Sequence, residues 1–108
     1  MIYTLEQIKE LVAPIAEKYK LKALWVFGSY ARGEATEASD VDFLIDYTDS
    51  TIVTLLDFNR IDNEFEEVIN RKIDLISTNA VFNRQSVVDD PEFVNSITRD
   101  RKIIYGKS

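Results

Sequence analysis

Apolar side chains recur along the chain with two different periods, one typical of helices and one typical of strands. In residues 4–19 they follow the three- and four-residue spacing of one helical face, at Leu5, Ile8, Leu11, Val12, Ile15 and Tyr19. Thr4 and Gln7 have the spacing of a capping box, so we expect this helix to begin after Thr4. Pro14 falls within the pattern and predicts a bend or a weak turn.

Two further segments have helical character. From about Ile52 to Asn70 the apolar positions again lie on one helical face, at Leu55, Phe58, Ile61, Phe65 and Ile69. A last helix is predicted from Glu92 to Arg99, directly after Pro91.

Four apolar segments predict strands instead. ALWVF at 23–27 is typical of a buried strand, and VDFLID at 41–46 alternates so that Val41, Phe43 and Ile45 share one face. KIDLIS at 72–77 predicts a third strand, and KIIY at 102–105 predicts a short edge strand. The alternation of helices and strands indicates an α/β (α+β) fold, in which helices pack on a small mixed β-sheet of about four strands.

Length and composition narrow the possible functions. The 108 residues suit a single domain over 1–108 with one modest core. Because the chain has no His and no Cys, a Ser-His-Asp triad, a thiol nucleophile and a disulfide framework are excluded, and a zinc centre is not expected. Any metal would be a hard cation with oxygen ligands. The net charge of −6 argues against general nucleic-acid binding, which needs a basic face.

The sequence predicts a cytoplasmic protein. The N-terminal segment carries charges throughout, unlike a signal peptide. No apolar run approaches the roughly 20 residues that a membrane helix needs, so no membrane partner is expected.

The acidic residues are concentrated in one part of the chain. From Glu34 to Asn59 there are seven Asp or Glu residues and no Lys or Arg. The last ten residues instead contain four Lys or Arg residues and one Asp. A run of like charges is ordinarily a solvated face. The basic tail after Arg99, and Tyr30 and Tyr47 if they are exposed, are candidate surfaces for a partner.

Candidate functional residues follow two strand ends. Gly28 lets the chain turn sharply, and Ser29 would begin a helical turn whose N–H groups and hydroxyl can receive phosphate oxygens. Asp40 and Asp42 are two residues apart, so on a strand they point to one face. Two such carboxylates repel unless a cation lies between them, which favours a divalent metal. Taken singly, a Gly-Ser turn and an Asp-x-Asp strand start are both ordinary structural features.

A third carboxylate, Asp74, lies within the apolar segment KIDLI, where an unpartnered acid is unusual. The alternative interpretation is a strand whose polar face reaches solvent. If the second and third strands are neighbours, Asp74 lies beside Asp40 and Asp42. Three carboxylates could then hold two magnesium ions for in-line phosphoryl or nucleotidyl transfer.

The combined pattern resembles a known superfamily. Gly28-Ser29, ten intervening residues, Asp40-x-Asp42 and a third Asp on a later strand are similar to the nucleotidyltransferases that include DNA polymerase β. The segments ARGE at 31–34 and SDVDF at 39–43 narrow the resemblance to the minimal nucleotidyltransferase (MNT) subfamily. Its members are single domains, usually paired with a HEPN-domain partner as antitoxin and toxin. The resemblance covers essentially the whole chain.

The resemblance implies a role for each motif residue. Gly28 and Ser29 would bind the triphosphate of ATP, and Asp40 and Asp42 would bind two Mg²⁺ or Mn²⁺ ions. Asp74 would complete one metal site and help to deprotonate the attacking hydroxyl.

Two roles remain open for Arg32. It could contact the nucleotide phosphates, or it could pair with Glu34 or Glu37, and we favour the ion pair. Larger members of the superfamily add a helical domain that binds the acceptor, for which this chain has no residues left. We therefore expect the acceptor to be part of another protein.

The expected function is transfer of AMP from Mg-ATP to a hydroxyl, a tyrosine hydroxyl above all, of a HEPN toxin that is thereby silenced. Two alternatives remain. The chain could be a non-catalytic antitoxin that neutralises its partner by binding, or a nucleotidyltransferase that modifies a small molecule or an RNA end with a separate subunit. The presence of all three Asp residues favours a catalytic function.

Overall fold

A computed structural model describes residues 2–106 of the chain. In that range it contains the helices α1 (Leu5–Lys18), α2 (Gly28–Arg32), α3 (Leu55–Ile69), α4 (Thr78–Phe82), α5 (Arg84–Asp89) and α6 (Pro91–Asp100), and the strands β1 (Ala23–Phe27), β2 (Val41–Asp46), β3 (Ile73–Ser77) and β4 (Lys102–Gly106).

The predicted strands and the three long helices are confirmed, with small shifts at their ends. Helix α3 begins at Leu55 rather than near Ile52, because Thr54 and Asp57 form a capping box there. Thr4 and Gln7 form the predicted box at α1, and that helix continues through Pro14. Helices α4 and α5 were not predicted, because each is too short to show a helical period.

The strands form one mixed sheet in the order β3-β2-β1-β4. Strand β1 pairs antiparallel with both β2 and β4, and β2 pairs parallel with β3. Strand β4 is an edge strand, as predicted, and β3 forms the other edge. The sheet therefore brings the start of β2 and the start of β3 to the same end.

The two faces of the sheet have different coverings. On the core face, Val26, Phe43 and other alternate strand residues pack against α1 and α3, and the rings of Phe43 and Phe65 stack with centroids 5.2 Å apart. On the opposite face, here called the site face, Trp25, Phe27 and Leu44 pack against residues of α4 and α6. Within residues 2–106 no helix has the length and apolar content needed to cross a lipid bilayer.

Candidate active site

Asp42 and Asp74 are directly opposite each other in the parallel β2–β3 pair. Side chains alternate between faces along a strand, and the neighbours of Asp42, Val41 and Phe43, belong to the core face. Asp42 therefore points to the site face, and Asp74 lies beside it on the adjacent strand. The predicted neighbourhood of these two carboxylates is confirmed, and it depends on the parallel register.

The Asp42 carboxyl has a raised pKa of about 6. Burial raises the pKa most, because it disfavours the charged form, and the negative charges of Asp74 and Asp40 raise it further. The positive charge of Arg32 acts in the opposite direction. Carboxylates that repel one another in this way form an environment that a divalent cation would stabilise.

Gly28 lies directly against Asp42 at the end of β1. A Cβ atom built on Gly28 would lie 2.2 Å from Asp42 Oδ2, which no side chain could avoid without a shift. Gly28 also has a φ of 71°, in the left-handed region that favours glycine. The close approach and the backbone conformation both require glycine here.

Ser29 follows Gly28 in the first turn of α2. No side chain caps the start of this helix, and the preceding residue Phe27 is extended. Phe27 is also the β1 partner of Asp42. The strand end thus places the Ser29 hydroxyl and the first N–H groups of α2 at the end of the sheet where Asp42 lies.

Asp40 lies one residue before β2, whose bounds match the predicted strand at 41–46, so the shared face that a common strand would give does not extend to Asp40. The position of Asp40 therefore depends on the loop that precedes β2 and not on strand pairing. Arg71, which sequence reasoning missed, anchors this loop from the start of β3. Its Nη1 donates to the carbonyl oxygen of Ser39 at 3.0 Å and to the hydroxyl of Tyr30 at 2.8 Å.

The same guanidinium also pairs with Glu37, with Arg71 Nη2 and Glu37 Oε2 3.6 Å apart. The Arg71 side chain is 15% exposed, so these contacts are partly shielded from water. An arginine just before a strand has no sequence signal for this role, because its partners lie 32 to 41 residues away.

Arg32 forms the predicted ion pair with Glu34, in which Nε and Oε1 are 2.8 Å apart. It also reaches Asp100 at the end of α6, with Nη1 and Oδ2 3.5 Å apart, a partner that was not predicted. Glu37, the other predicted partner, pairs with Arg71 instead. The ion-pair role is confirmed, and contact of Arg32 with phosphate remains a prediction.

The donor atoms of the site are carboxylate and hydroxyl oxygens, which suit Mg²⁺ or Mn²⁺. Within residues 2–106, however, no three acidic side chains lie close enough together to form a metal site as they stand. Asp42 and Asp74 are neighbours, and Asp40 lies outside the strand that would align it with them. The three-carboxylate metal centre therefore stays a prediction.

Asp62 on α3 is a second residue that sequence reasoning missed. Its Oδ1 is buried and has no hydrogen-bond partner, and burial raises the pKa of its carboxyl, with further contributions from Glu66 and Asp74. Its only sequence signal is its position between the buried Ile61 and Phe65, which is shared by many polar helix residues. It extends the acidic environment of Asp74 onto α3.

The candidate partner surfaces are partly corrected. Tyr30 is only 5% exposed and its hydroxyl accepts a hydrogen bond from Arg71, so it is a core residue and no partner surface. Tyr47 is half-buried against Phe58. In the basic tail, the Arg101 guanidinium lies over the Trp25 ring, 4.7 Å from its centroid, and Lys107 lies outside the described residues.

Comparison with known proteins assigns the chain to a family. The family model for the nucleotidyltransferase domain matches residues 8–104. A relative from Methanocaldococcus jannaschii, named as a protein adenylyltransferase, is 39% identical over 81% of this chain and 94% of its own length. The protein adenylyltransferase MntA of Thermococcus cleftensis is 36% identical over 68% of this chain and 76% of its own length.

Solved structures have the same fold. A minimal nucleotidyltransferase superposes with a TM-score of 0.67 at 28% identity, and the match covers 93% of this chain and 95% of that one. A toxin–antitoxin crystal structure with AMP-PNP gives a TM-score of 0.65 at 14% identity, covering 93% of this chain and 74% of that one, which is a likeness of fold alone. The chain therefore belongs to the nucleotidyltransferase domain family, as a minimal nucleotidyltransferase related to protein adenylyltransferases, and it is an enzyme.

Proposed function

We propose that this enzyme transfers AMP from ATP to a tyrosine hydroxyl of a HEPN-domain partner and thereby acts as that partner's antitoxin. The observation that supports this most is the Asp42–Asp74 pair beside Gly28, at the end of β1 where α2 begins. The relatives named as protein adenylyltransferases support a protein acceptor. The structural neighbour with AMP-PNP, a toxin–antitoxin complex, supports ATP and a toxin partner.

In this proposal Gly28 and Ser29 bind the triphosphate. The glycine allows the nucleotide to approach the backbone, and the Ser29 hydroxyl and the N–H groups of α2 donate to phosphate oxygens. Asp40, Asp42 and Asp74 are the residues that would hold divalent cations. Such cations neutralise charge on the transferred phosphoryl group and on the departing pyrophosphate. Above pH 6 the Asp42 carboxyl is mostly ionised, as a metal ligand must be.

The transfer itself exchanges one phosphate bond for another. The acceptor oxygen forms a bond to the α-phosphorus of ATP, and the bond to pyrophosphate breaks. The proton of the acceptor hydroxyl passes to the exposed Asp74 carboxylate. No histidine is needed, because Asp74 can accept the proton.

The test is labelling of a partner. The full chain is incubated with α-labelled ATP, magnesium and a candidate HEPN-domain partner, and label on that protein is measured by gel and mass spectrometry. We expect label on a tyrosine with the wild type and none with Asp42→Asn. Asp49→Asn is the matched control, because it removes an acid from the same segment at a turn with a φ of 58°, where Asn is well tolerated.

The alternative, neutralisation of the partner by binding alone, can be tested with a variant that lacks the proposed metal ligands. If the Asp40→Ala/Asp42→Ala double variant still suppresses the toxicity of the partner as well as the wild type does, contact is sufficient and AMP transfer is not the antitoxin mechanism. If the wild type leaves every partner residue unlabelled, the proposed acceptor is wrong.

A further inference from the structure

A pocket with apolar walls opens on the site face, and Ile76 of β3 is one of its walls. It has a volume of about 300 Å³ and lies between the second half of β3 and helices α4, α5 and α6. Its apolar lining consists of Ile76, Ala80, Val81, Phe93 and Val94. The Phe93 residue is 45% exposed, so its ring has a free side toward solvent. Such a pocket can receive one flat apolar group.

The strand β3 relates the pocket wall at Ile76 to Asp74. Asp74 and Ile76 are two residues apart on β3, so their side chains share a face and are separated by roughly 6–7 Å along the strand. Ile76 packs with the site-face cluster. A tyrosine whose ring lies over Ile76 is long enough to bring its hydroxyl to Asp74.

In-line transfer favours the same side of the site for the acceptor. The attacking and leaving oxygens lie roughly opposite each other about the phosphorus. If pyrophosphate leaves toward Ser29 at the end of β1, the acceptor arrives from the side of β3, because the strands are ordered β1, β2, β3 across the sheet. The pocket lies on that side.

The rim of the pocket is acidic. Residues 85–98 contain Asp89, Asp90 and Glu92 and no Lys or Arg. All three acids are exposed, and Asp89 and Asp90 line the pocket. This charge disfavours an RNA end, whose phosphates would be repelled, and favours a peptide with basic side chains.

We infer that the pocket binds the aromatic ring of the acceptor tyrosine, in a partner segment that carries Lys or Arg beside that tyrosine. This inference rests on the proposed function. Phe93 and Ile76 hold the ring, the acidic rim attracts the flanking cations, and the hydroxyl lies at Asp74. The bonds made and broken are those of the AMP transfer described above.

The first test measures transfer to a short acceptor. Acetyl-Lys-Ala-Tyr-Ala-Lys-amide is titrated against the full chain with magnesium and α-labelled ATP, and KM is determined separately for the peptide and for ATP. Phe93→Ala should raise KM for the peptide about tenfold and leave KM for ATP within about twofold. Leu55→Ala is the matched control, because it also shortens an exposed apolar side chain, in that case 75% exposed, at the start of α3. It should change neither constant.

A second peptide tests the rim. Replacing both Lys residues of the peptide with Glu should raise its KM about tenfold at low salt, and the difference should shrink at high salt. An equal KM for both peptides would overturn the basic-flank part of the inference. A rise in KM for ATP with Phe93→Ala would instead assign the pocket to the nucleobase and overturn the inference, and no change in either constant would do the same.

Binding separates failure of the pocket from failure of the proposed function. Amide chemical-shift changes caused by the Lys-flanked peptide are mapped on the wild type and on Phe93→Ala. Shifts at α4, α5 and α6 that disappear in the variant support the pocket, even if no AMP is transferred. Shifts confined to other surfaces, or no shifts at saturating peptide, overturn it, even if transfer occurs.

Discussion

The two faces of the sheet are built from alternate residues of the same strands, and they differ in almost every other property. On the core face, Phe43 and Ile45 are fully buried under α1 and α3. On the site face, Asp42 and Asp74 lie where the covering by α4 to α6 ends, and Asp74 is exposed. One face stabilises the fold, whereas the other collects like charges that a bound cation would relieve. Substitutions on the core face should therefore lower stability, whereas substitutions on the site face should lower activity.

The largest expected effect is on catalysis by the site face. Asp42→Asn should lower the rate of AMP transfer by about 10³-fold or more, because in the proposed mechanism this carboxylate would hold a cation that stabilises charge in the transition state by several kcal/mol. Transfer is measured under single-turnover conditions with α-labelled ATP. A variant with more than a tenth of the wild-type rate would contradict the assigned role of Asp42.

Substitutions on the core face should lower the stability of the fold. Phe65→Ala removes a fully buried ring that stacks on Phe43, and it should lower the free energy of unfolding by about 3–5 kcal/mol. Urea denaturation gives the value. Phe93→Ala on the site face is the matched control and should cost less than about 1 kcal/mol, since Phe93 is 45% exposed. Equal costs for the two variants would remove the distinction between the faces.

Arg71, just before β3, holds the loop that precedes β2. Its loss should lower activity because Asp40 would no longer be held in place. Arg71→Ala should lower the rate of transfer roughly 10- to 100-fold, because Asp40 follows the anchored carbonyl of Ser39. The KM for ATP should change less than kcat. Arg71→Lys should restore part of kcat, because it keeps the charge and loses the fork of donors. If both variants lost stability but kept kcat, Arg71 would be a structural residue only.

The smallest expected effect is the dependence of stability on pH. The pKa of the Asp42 carboxyl is about 6 in the folded chain, whereas an aspartate carboxyl ordinarily has a pKa of 3.8, so the folded state binds more protons between these values. Stability arising from this group therefore falls as the pH rises from about 4 to about 6 and stays lower above that.

Asp42→Asn should consequently raise the free energy of unfolding by about 1 kcal/mol at pH 8 and by much less at pH 4, after allowance for the partial exposure of the carboxyl. Urea denaturation in EDTA at the two pH values measures the difference. Magnesium should stabilise the wild type at pH 8 and stabilise the variant less. An equal gain at both pH values would show that charge repulsion at Asp42 is not its cause.

Whether the sequence could predict a feature depended on how far apart in the chain the interacting residues lie. The helices and strands were predictable because capping boxes such as Thr4 with Gln7, and apolar periods such as that of α3, involve residues a few positions apart. The Arg32–Glu34 ion pair has the same local origin. Helices α4 and α5, with five and six residues, were missed because their signal is shorter than the period that reveals it.

The amino-acid sequence by itself determined the four strands, the three long helices and the residue types of the site, because these depend on local backbone preference and chemistry. Only the tertiary structure decided that Asp74 is the register partner of Asp42 and that Arg71 anchors the loop that bears Asp40. Only it revealed Asp62 beside the site and the pocket between β3 and α6. These features arise from contacts between residues distant in the chain, and the choice among such contacts is made when the whole core packs.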